Sequence, residues 1–299
     1  MSSILERLPP GSRMAVIRLR SLGDCVLTTP ALHILKRARP DLKIAVVVED
    51  AFAPVFEGNP DVDSIVGPAV PDVAALHPEL VLNLHGGSRS AQLTFACRAR
   101  FRAGFAHFRF RAMYNVRIPR AQDILGVERH VHTAEHLASA MFYLGVPRCE
   151  IPRARLFAVE QASRPVHAVI HPVASSPEKT WPASNFLAVA EHLKKEGLDP
   201  VFIAGPNESL AEFSAYRCIS GAPLAEVKSL LASAAMFIGN DSGPAHMAAA
   251  FGVPSVVLFG PSHEDIWAPW KTEAIVLKSP DISAISVEQV TGALPGLLI

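Results

Sequence analysis

Short β-branched and apolar runs alternate with helical patterns along the whole chain, and that alternation leaves few folds open. Extended runs at 14–19 (MAVIRL), 43–48 (KIAVVV), 64–66 and 80–84 (LVLNL) are separated by a helical pattern over 25–39 and a short one near 52–56. The order restarts at 168–171 (AVIH). From there strands at 200–204, 236–239 and 255–259 alternate with helices over 184–195, 208–216, 224–232 and 244–251. Alternating strands and helices build parallel sheets covered on both faces, and strands that are apolar at every position fit that double burial. The expected fold class is α/β: two Rossmann-like, doubly wound parallel-sheet domains facing a central cleft. Prolines and polar residues interrupt the pattern before it restarts. The expected organisation is an N-terminal domain over 1–150, a linker over 151–165, a C-terminal domain over 166–282 and a terminal helix over 283–299.

Composition narrows the class further. With 299 residues, 49% apolar and 19% charged, the chain is neither disordered, collagen-like nor a coiled coil. Four cysteines without a CxxC pair argue against a zinc ribbon and against a disulfide scaffold, so the expected compartment is a reducing cytoplasm. The opening residues MSSILERLPPGSR are too short and too interrupted to read as a signal peptide. No apolar run approaches the ~20 residues of a membrane span, and the best stretch, 247–259, carries Gly252 and Pro254. Net charge is zero but unevenly placed. Residues 1–150 hold 18 Lys and Arg against 14 Asp and Glu, the remainder 10 against 14. Residues 80–122 carry eight arginines with no lysine and no acid. A basic field on half of a neutral protein points to an anionic partner there, a small or lipid-borne anion rather than nucleic acid.

In doubly wound folds ligands bind at the carboxyl ends of the strands. The first strand runs into Arg20-Ser21-Leu22-Gly23-Asp24, where a dinucleotide fold would want GxGxxG. A carboxylate stands there instead, as a helix cap or as a group facing the cleft. After 236–239 comes Asn240-Asp241-Ser242-Gly243-Pro244-Ala245-His246. Gly243 admits a ligand to the backbone, Pro244 suits a first helical turn, and the free N–H groups favour an anion. His246 lies one turn further along. After 168–171, Ser175 and Lys179 offer a hydroxyl and an ammonium for phosphate. After 200–204, Glu208 follows a glycine turn where a ribose diol is commonly held.

Two motifs suggest metals. Asp61-Val62-Asp63 mimics a DxD motif but follows the turn Gly58-Asn59-Pro60, so it reads as turn and strand start. His132-Thr133-Ala134-Glu135-His136 matches HxxEH, an inverted zinc-peptidase motif that needs a third ligand and a different fold. A zinc hydrolase using His132 and His136 is one alternative function. A non-catalytic nucleotide-sugar-binding or assembly protein is the other.

Taken together, these blocks resemble glycosyltransferase family 9, the heptosyltransferases. Arg18-Leu19-Arg20-Ser21-Leu22-Gly23-Asp24-Cys25-Val26-Leu27-Thr28-Thr29-Pro30 looks like the family's opening motif. Glu57-Gly58-Asn59-Pro60, Lys179-Thr180-Trp181-Pro182, Asn240–His246 and Phe259-Gly260-Pro261 follow in family order, over about residues 14–270. The resemblance implies a GT-B fold and inverting, metal-independent transfer of a heptose from a nucleotide sugar, typically ADP-heptose, to a lipopolysaccharide-core or similar anionic glycan acceptor. It implies an acceptor site on the N-terminal domain and a donor site on the C-terminal one, with no cofactor beyond the co-substrate.

Carried over by motif, Asp24 is the general base and Lys179 the donor-phosphate cation. Ser175 lies near the phosphates, Glu208 holds the ribose and Asp241 the sugar hydroxyls. Ser242, Gly243 and Pro244 form the helix tip under the pyrophosphate, with His246 behind. Arg20, Arg98, Arg100, Arg102, Arg109 and Arg111 are the candidates for the acceptor. The implied setting is a cytoplasmic monomer with peripheral contact to the inner membrane.

Overall fold

The structure is a computed structural model that describes residues 2–158 and 166–297. The chain divides into two units, Met1–Phe157 and Ala158–Ile299. Residues 159–165 of the expected linker and 298–299 of the expected terminal helix lie outside the described residues.

In the first unit, strands β1 (Arg13–Ile17), β2 (Lys43–Val47), β3 (Ser64–Val66), β4 (Leu80–Asn83), β5 (Phe101–Phe105) and β6 (Val116–Ile118) form one sheet in the order β3-β2-β1-β4-β5-β6. Every pair is parallel. Helices α1 (Leu22–Ala38), α2 (Val70–Ala75), α3 (Ser88–Ala96), α4 (Ala121–Leu125) and α5 (Thr133–Leu144) accompany it. Strand β1 is buried at Met14, Ala15, Val16 and Ile17, as a central strand covered on both faces must be.

The second unit repeats the scheme. Strands β7 (His167–His171), β8 (Asp199–Ala204), β9 (Arg217–Ser220), β10 (Met236–Asn240), β11 (Ser255–Phe259) and β12 (Ala274–Lys278) run in the order β12-β11-β10-β7-β8-β9, again all parallel. Its helices are α6 (Ala183–Lys195), α7 (Leu224–Ala232), α8 (Gly243–Phe251), α9 (Glu264–Trp267) and α10 (Val287–Ala293). On one face of the sheet the core gathers Trp181, Phe186, Phe202, Met236, Ile238 and Leu258.

Four local differences from the sequence reading have physical causes. Helix α1 starts at Leu22 rather than 25, because Ser21 caps it and the Asp24 carboxylate accepts the Ser21 N–H at 3.4 Å, a capping box. The expected helix over 208–216 reduces to one 3₁₀ turn, Ala211–Phe213. Leu210 and Phe213 fold inward there, and the Phe213 ring stacks on Phe202 at 4.4 Å instead of extending a helical face. Strand β5 was hidden by its arginine and glycine (FRAGF). Gly104 is needed because a side chain there would meet the Tyr114 ring at 2.7 Å. Residues 151–157, assigned to the linker, pack on the first unit. The Arg155 N–H donates to Thr29 Oγ1 at 2.9 Å, and Ile151, Ala154 and Leu156 are buried.

Candidate active site

Each sheet gathers polar groups at its carboxyl edge. In the first unit the chain leaves β1 at Arg18, whose buried guanidinium sits 3.3 Å from Asp24 Oδ1. Burial pulls the Arg18 pKa down and the Asp24 charge pushes it back up. Asp24 Oδ2 also accepts the Ser21 hydroxyl at 3.1 Å. The carboxylate is thus held at the first turn of α1, yet 22% of its side chain stays exposed and within a ligand's reach. Capping the helix therefore leaves the carboxylate accessible.

Loop chemistry beyond the sequence motifs supports this carboxylate. Asn83, fully buried at the end of β4, accepts the N–H groups of His85 (2.9 Å) and Gly86 (3.1 Å). Its amide donates to Thr94 and to the Tyr114 hydroxyl. His85 is thereby set where it bonds to the Arg20 backbone, and burial together with the Arg18 charge lowers its pKa. His136 stacks on Phe105 at 4.1 Å and feels the charges of Arg18 and Asp24. Burial, first of all, drops its pKa to about 4. A cavity of about 630 Å³, lined in part by His107, Arg120, Gln122, Glu128 and His136, lies past the carboxyl ends of β5 and β6. A polar residue closing an apolar strand was the available signal for Asn83. The histidines, scattered from 85 to 136, carried none.

The arginine candidates separate. Arg98, Arg100 and Arg102 stand at the edge of the sheet opposite Asp24. Phe101–Phe105 is a strand parallel to β4, so residues before it lie at the amino edge, where Phe101 N–H bonds to Glu79 O. Arg102 is spent on the Met113 and Ala99 carbonyls, both at 3.0 Å, and Arg100 lies over the Phe101 ring at 4.9 Å. Arg109 and Arg111 follow the carboxyl end of β5, and Arg20 is exposed in the turn that carries Asp24.

In the second unit Asn240 is the organiser. Fully buried, it accepts the Trp181 N–H at 3.1 Å and donates to Pro172 O at 3.0 Å, stitching the loop after β7 to the end of β10. Trp181 is anchored in turn by its indole N–H on Ile285 O at 2.8 Å. Gly260 lets the same loop close on β11, since a side chain there would meet Glu178 O at 2.6 Å. The result places Lys179 Nζ 4.0 Å from Asp241 Oδ2. Burial raises the Asp241 pKa, while Ser262 and Lys179 pull it down.

Next to this pair, Ser242 opens α8 in extended conformation, with its hydroxyl buried and without a partner among the described residues, and Pro244 lies in the first turn. His246 is buried, edge-on to Trp267 at 6.4 Å. Ser175 is exposed on the loop ahead of Lys179. After β8, Glu208 Oε2 accepts the Gly205 N–H at 2.6 Å. An ammonium, a helix amino end and a spare hydroxyl together suit an anionic leaving group.

Neither metal motif makes a cluster. Asp61 is taken by His33 at 2.9 Å and Asp63 by Lys36 at 2.7 Å. His132 Nδ1 accepts the Ala134 N–H, Glu135 pairs with Arg129, and His136 lies on Phe105. Among the described residues no group of three His, Cys, Asp or Glu stands ready to hold a metal ion.

The model of glycosyltransferase family 9 (heptosyltransferase) matches residues 75–292. The chain belongs to this family. It is a heptosyltransferase-like glycosyltransferase of GT-B fold. It is 27% identical over 296 residues to lipopolysaccharide heptosyltransferase 3 of Escherichia coli K12, covering 86% of this chain and 85% of that one. The solved family 9 glycosyltransferase of Veillonella parvula superposes with a TM-score of 0.85 at 25% identity, over 96% of this chain and 97% of that one. E. coli ADP-heptose LPS heptosyltransferase II superposes at 0.81 and 19% identity, over 96% and 98%. No helix among the described residues of this glycosyltransferase is long and apolar enough to cross a membrane.

Proposed function

We propose that the enzyme transfers a heptose from ADP-heptose to an anionic glycan acceptor of the lipopolysaccharide core, with inversion at the anomeric carbon. The observation that carries this reading is Asp24: a reachable carboxylate, 3.3 Å from the Arg18 guanidinium and oriented by Ser21, at the carboxyl end of the central strand. An acceptor hydroxyl loses its proton far above neutral pH, so attack on carbon needs a base in contact, worth roughly 10²–10⁴-fold. Asp24 takes that proton while the acceptor oxygen bonds to the anomeric carbon. The bond from that carbon to the β-phosphate oxygen breaks, and ADP departs with the electron pair.

Charge grows on the leaving diphosphate. Lys179 and the amino end of α8 at Ser242, Gly243 and Pro244 meet it, with His246 behind and Ser175 alongside. Those fixed charges support catalysis that needs no added metal. Glu208 takes the ribose diol and Asp241 the hydroxyls of the transferred sugar. On the acceptor side Arg20, Arg109 and Arg111 supply cations near the carboxyl edge, and the enzyme works as a monomer in the cytoplasm against the anionic inner-membrane surface. The names of the relatives, ADP-heptose and lipopolysaccharide heptosyltransferases, support the donor and acceptor class.

The test is transfer by Asp24→Asn with ADP-heptose and a lipopolysaccharide-core acceptor. The variant should lose most of kcat with donor KM nearly unchanged, and wild-type turnover would remove Asp24 from the mechanism. Activity should also survive EDTA. Loss on chelation, restored by a divalent ion, would show that a metal takes part.

A further inference from the structure

His171 ends β7, and its side chain is only 7% exposed. Burial drops its pKa to about 4, so the imidazole is neutral, with one nitrogen donating and the other carrying a lone pair. Nδ1 is buried and finds no partner among the described residues. Nε2 faces one charged group, Glu208, at 4.0 Å from Oε2. That same oxygen already accepts the Gly205 N–H.

The loop carrying Glu208 is pinned on its other side too. Ser220 Oγ reaches the carbonyls of Gly205 and Glu208, both at 3.3 Å, and the Gly221 N–H bonds to Ala204 O. A buried neutral imidazole costs stability unless something rewards its polarity. Here the polar group it faces is the Glu208 carboxylate, 4.0 Å from Nε2.

We propose that His171 is a positioning residue for Glu208: its Nε2–H underlies the carboxylate and orients it for the vicinal diol of a nucleotide ribose. This rests on the reading of Glu208 as the diol acid. His171 acts through Glu208 and does not itself touch the ligand. A hydrophobic floor would leave the carboxylate to one backbone N–H and let it swing with the loop. The tautomer that places hydrogen on Nε2 leaves Nδ1 as a bare acceptor, the unbonded atom observed.

The experiment is calorimetric titration with two probes, ADP and 2′,3′-dideoxy-ADP, on the full chain, with folding checked by thermal melts. The wild type should prefer ADP. Glu208→Gln should cut that preference roughly ten-fold, the difference between a charged and a neutral hydrogen bond. His171→Leu should cut it about five-fold while leaving dideoxy-ADP affinity within two-fold, and His171→Gln, which keeps an N–H donor, should restore most of it. The double variant His171→Leu with Glu208→Gln should lose no more than Glu208→Gln alone. If His171→Leu is not recovered folded, His171→Phe takes its place.

An unchanged preference in the His171 variants, with Glu208→Gln impaired, would reduce His171 to packing and leave the diol reading standing. Losses that add in the double variant would overturn positioning through Glu208. A preference untouched by Glu208→Gln would bring down the diol reading, and this proposal with it.

Discussion

The two units share one topology, and their carboxyl edges have opposite chemical character. Renumbered from its own first strand, the second sheet has the strand order of the first. At the first edge a carboxylate is gripped by a buried guanidinium and flanked by neutral imidazoles, which on the proposed reading offers a base. At the second, an ammonium and a helix amino end flank a partly buried carboxylate, which on the same reading offers a receptor for negative charge. The same backbone scheme supports both because strand ends and helix starts recur in every βα unit. Only the side chains in the turns differ. In each unit one fully buried asparagine, Asn83 or Asn240, shapes the turn that displays them.

The sharpest way to break this comparison is to remove the base. Asp24→Asn keeps the cap and the shape but loses the charge, and kcat should fall about 10²-fold or more. Steady-state assays with saturating donor decide it. If the fall appears in donor KM instead, the two edges do not divide the labour as described.

Next in size is the scaffold of the second edge. Asn240→Ala strands the Trp181 N–H and the Pro172 carbonyl, so stability should drop by about 2–4 kcal/mol in a urea titration. A drop below about 0.5 kcal/mol would mean that water replaces the amide and that Asn240 does not organise the loop.

Lys179→Gln should then raise donor KM and lower kcat by roughly ten-fold each, with acceptor KM unmoved. An effect on the acceptor alone would reverse the assignment of the two edges.

A smaller effect is shared by both units. His136 and His171 each fold with a pKa of about 4, below the ordinary 6.5, so the unfolded chain binds their protons first. Their contribution is fully present above pH 6.5 and drains away as pH falls toward 4. Melting temperature should therefore decline between pH 6.5 and 4.5, and His136→Phe should flatten that decline. An identical slope in the variant would place the acid sensitivity elsewhere.

The smallest effect is at the rim. Arg109→Gln with Arg111→Gln should raise acceptor KM about two- to five-fold and weaken its salt dependence, since exposed charges are screened beyond ~8 Å at physiological ionic strength. The same changes at Arg98 and Arg100, on the opposite edge of the sheet, should do nothing. Equal effects at both pairs would point to a diffuse field rather than a placed contact.

The sequence by itself determined the architecture and the family. Strand–helix alternation is a local, periodic signal, and the turns after β1, β7, β8 and β10 lie next to the strands that position them. The places of Asp24, Lys179, Glu208 and Asp241 after those strands were legible for that reason. Other features depended on distance along the chain. Whether an arginine belongs to one edge of a sheet or the other turns on where β5 begins, and FRAGF hides a strand behind a glycine that only the Tyr114 ring explains. The neutral histidines around Asp24, His85 and His136, come from two separate connections, and burial, which sets their charge, is a property of packing. Tertiary structure alone brought Arg18, His85 and His136 to one carboxylate, because desolvation and proximity exist only once residues far apart in sequence are packed together.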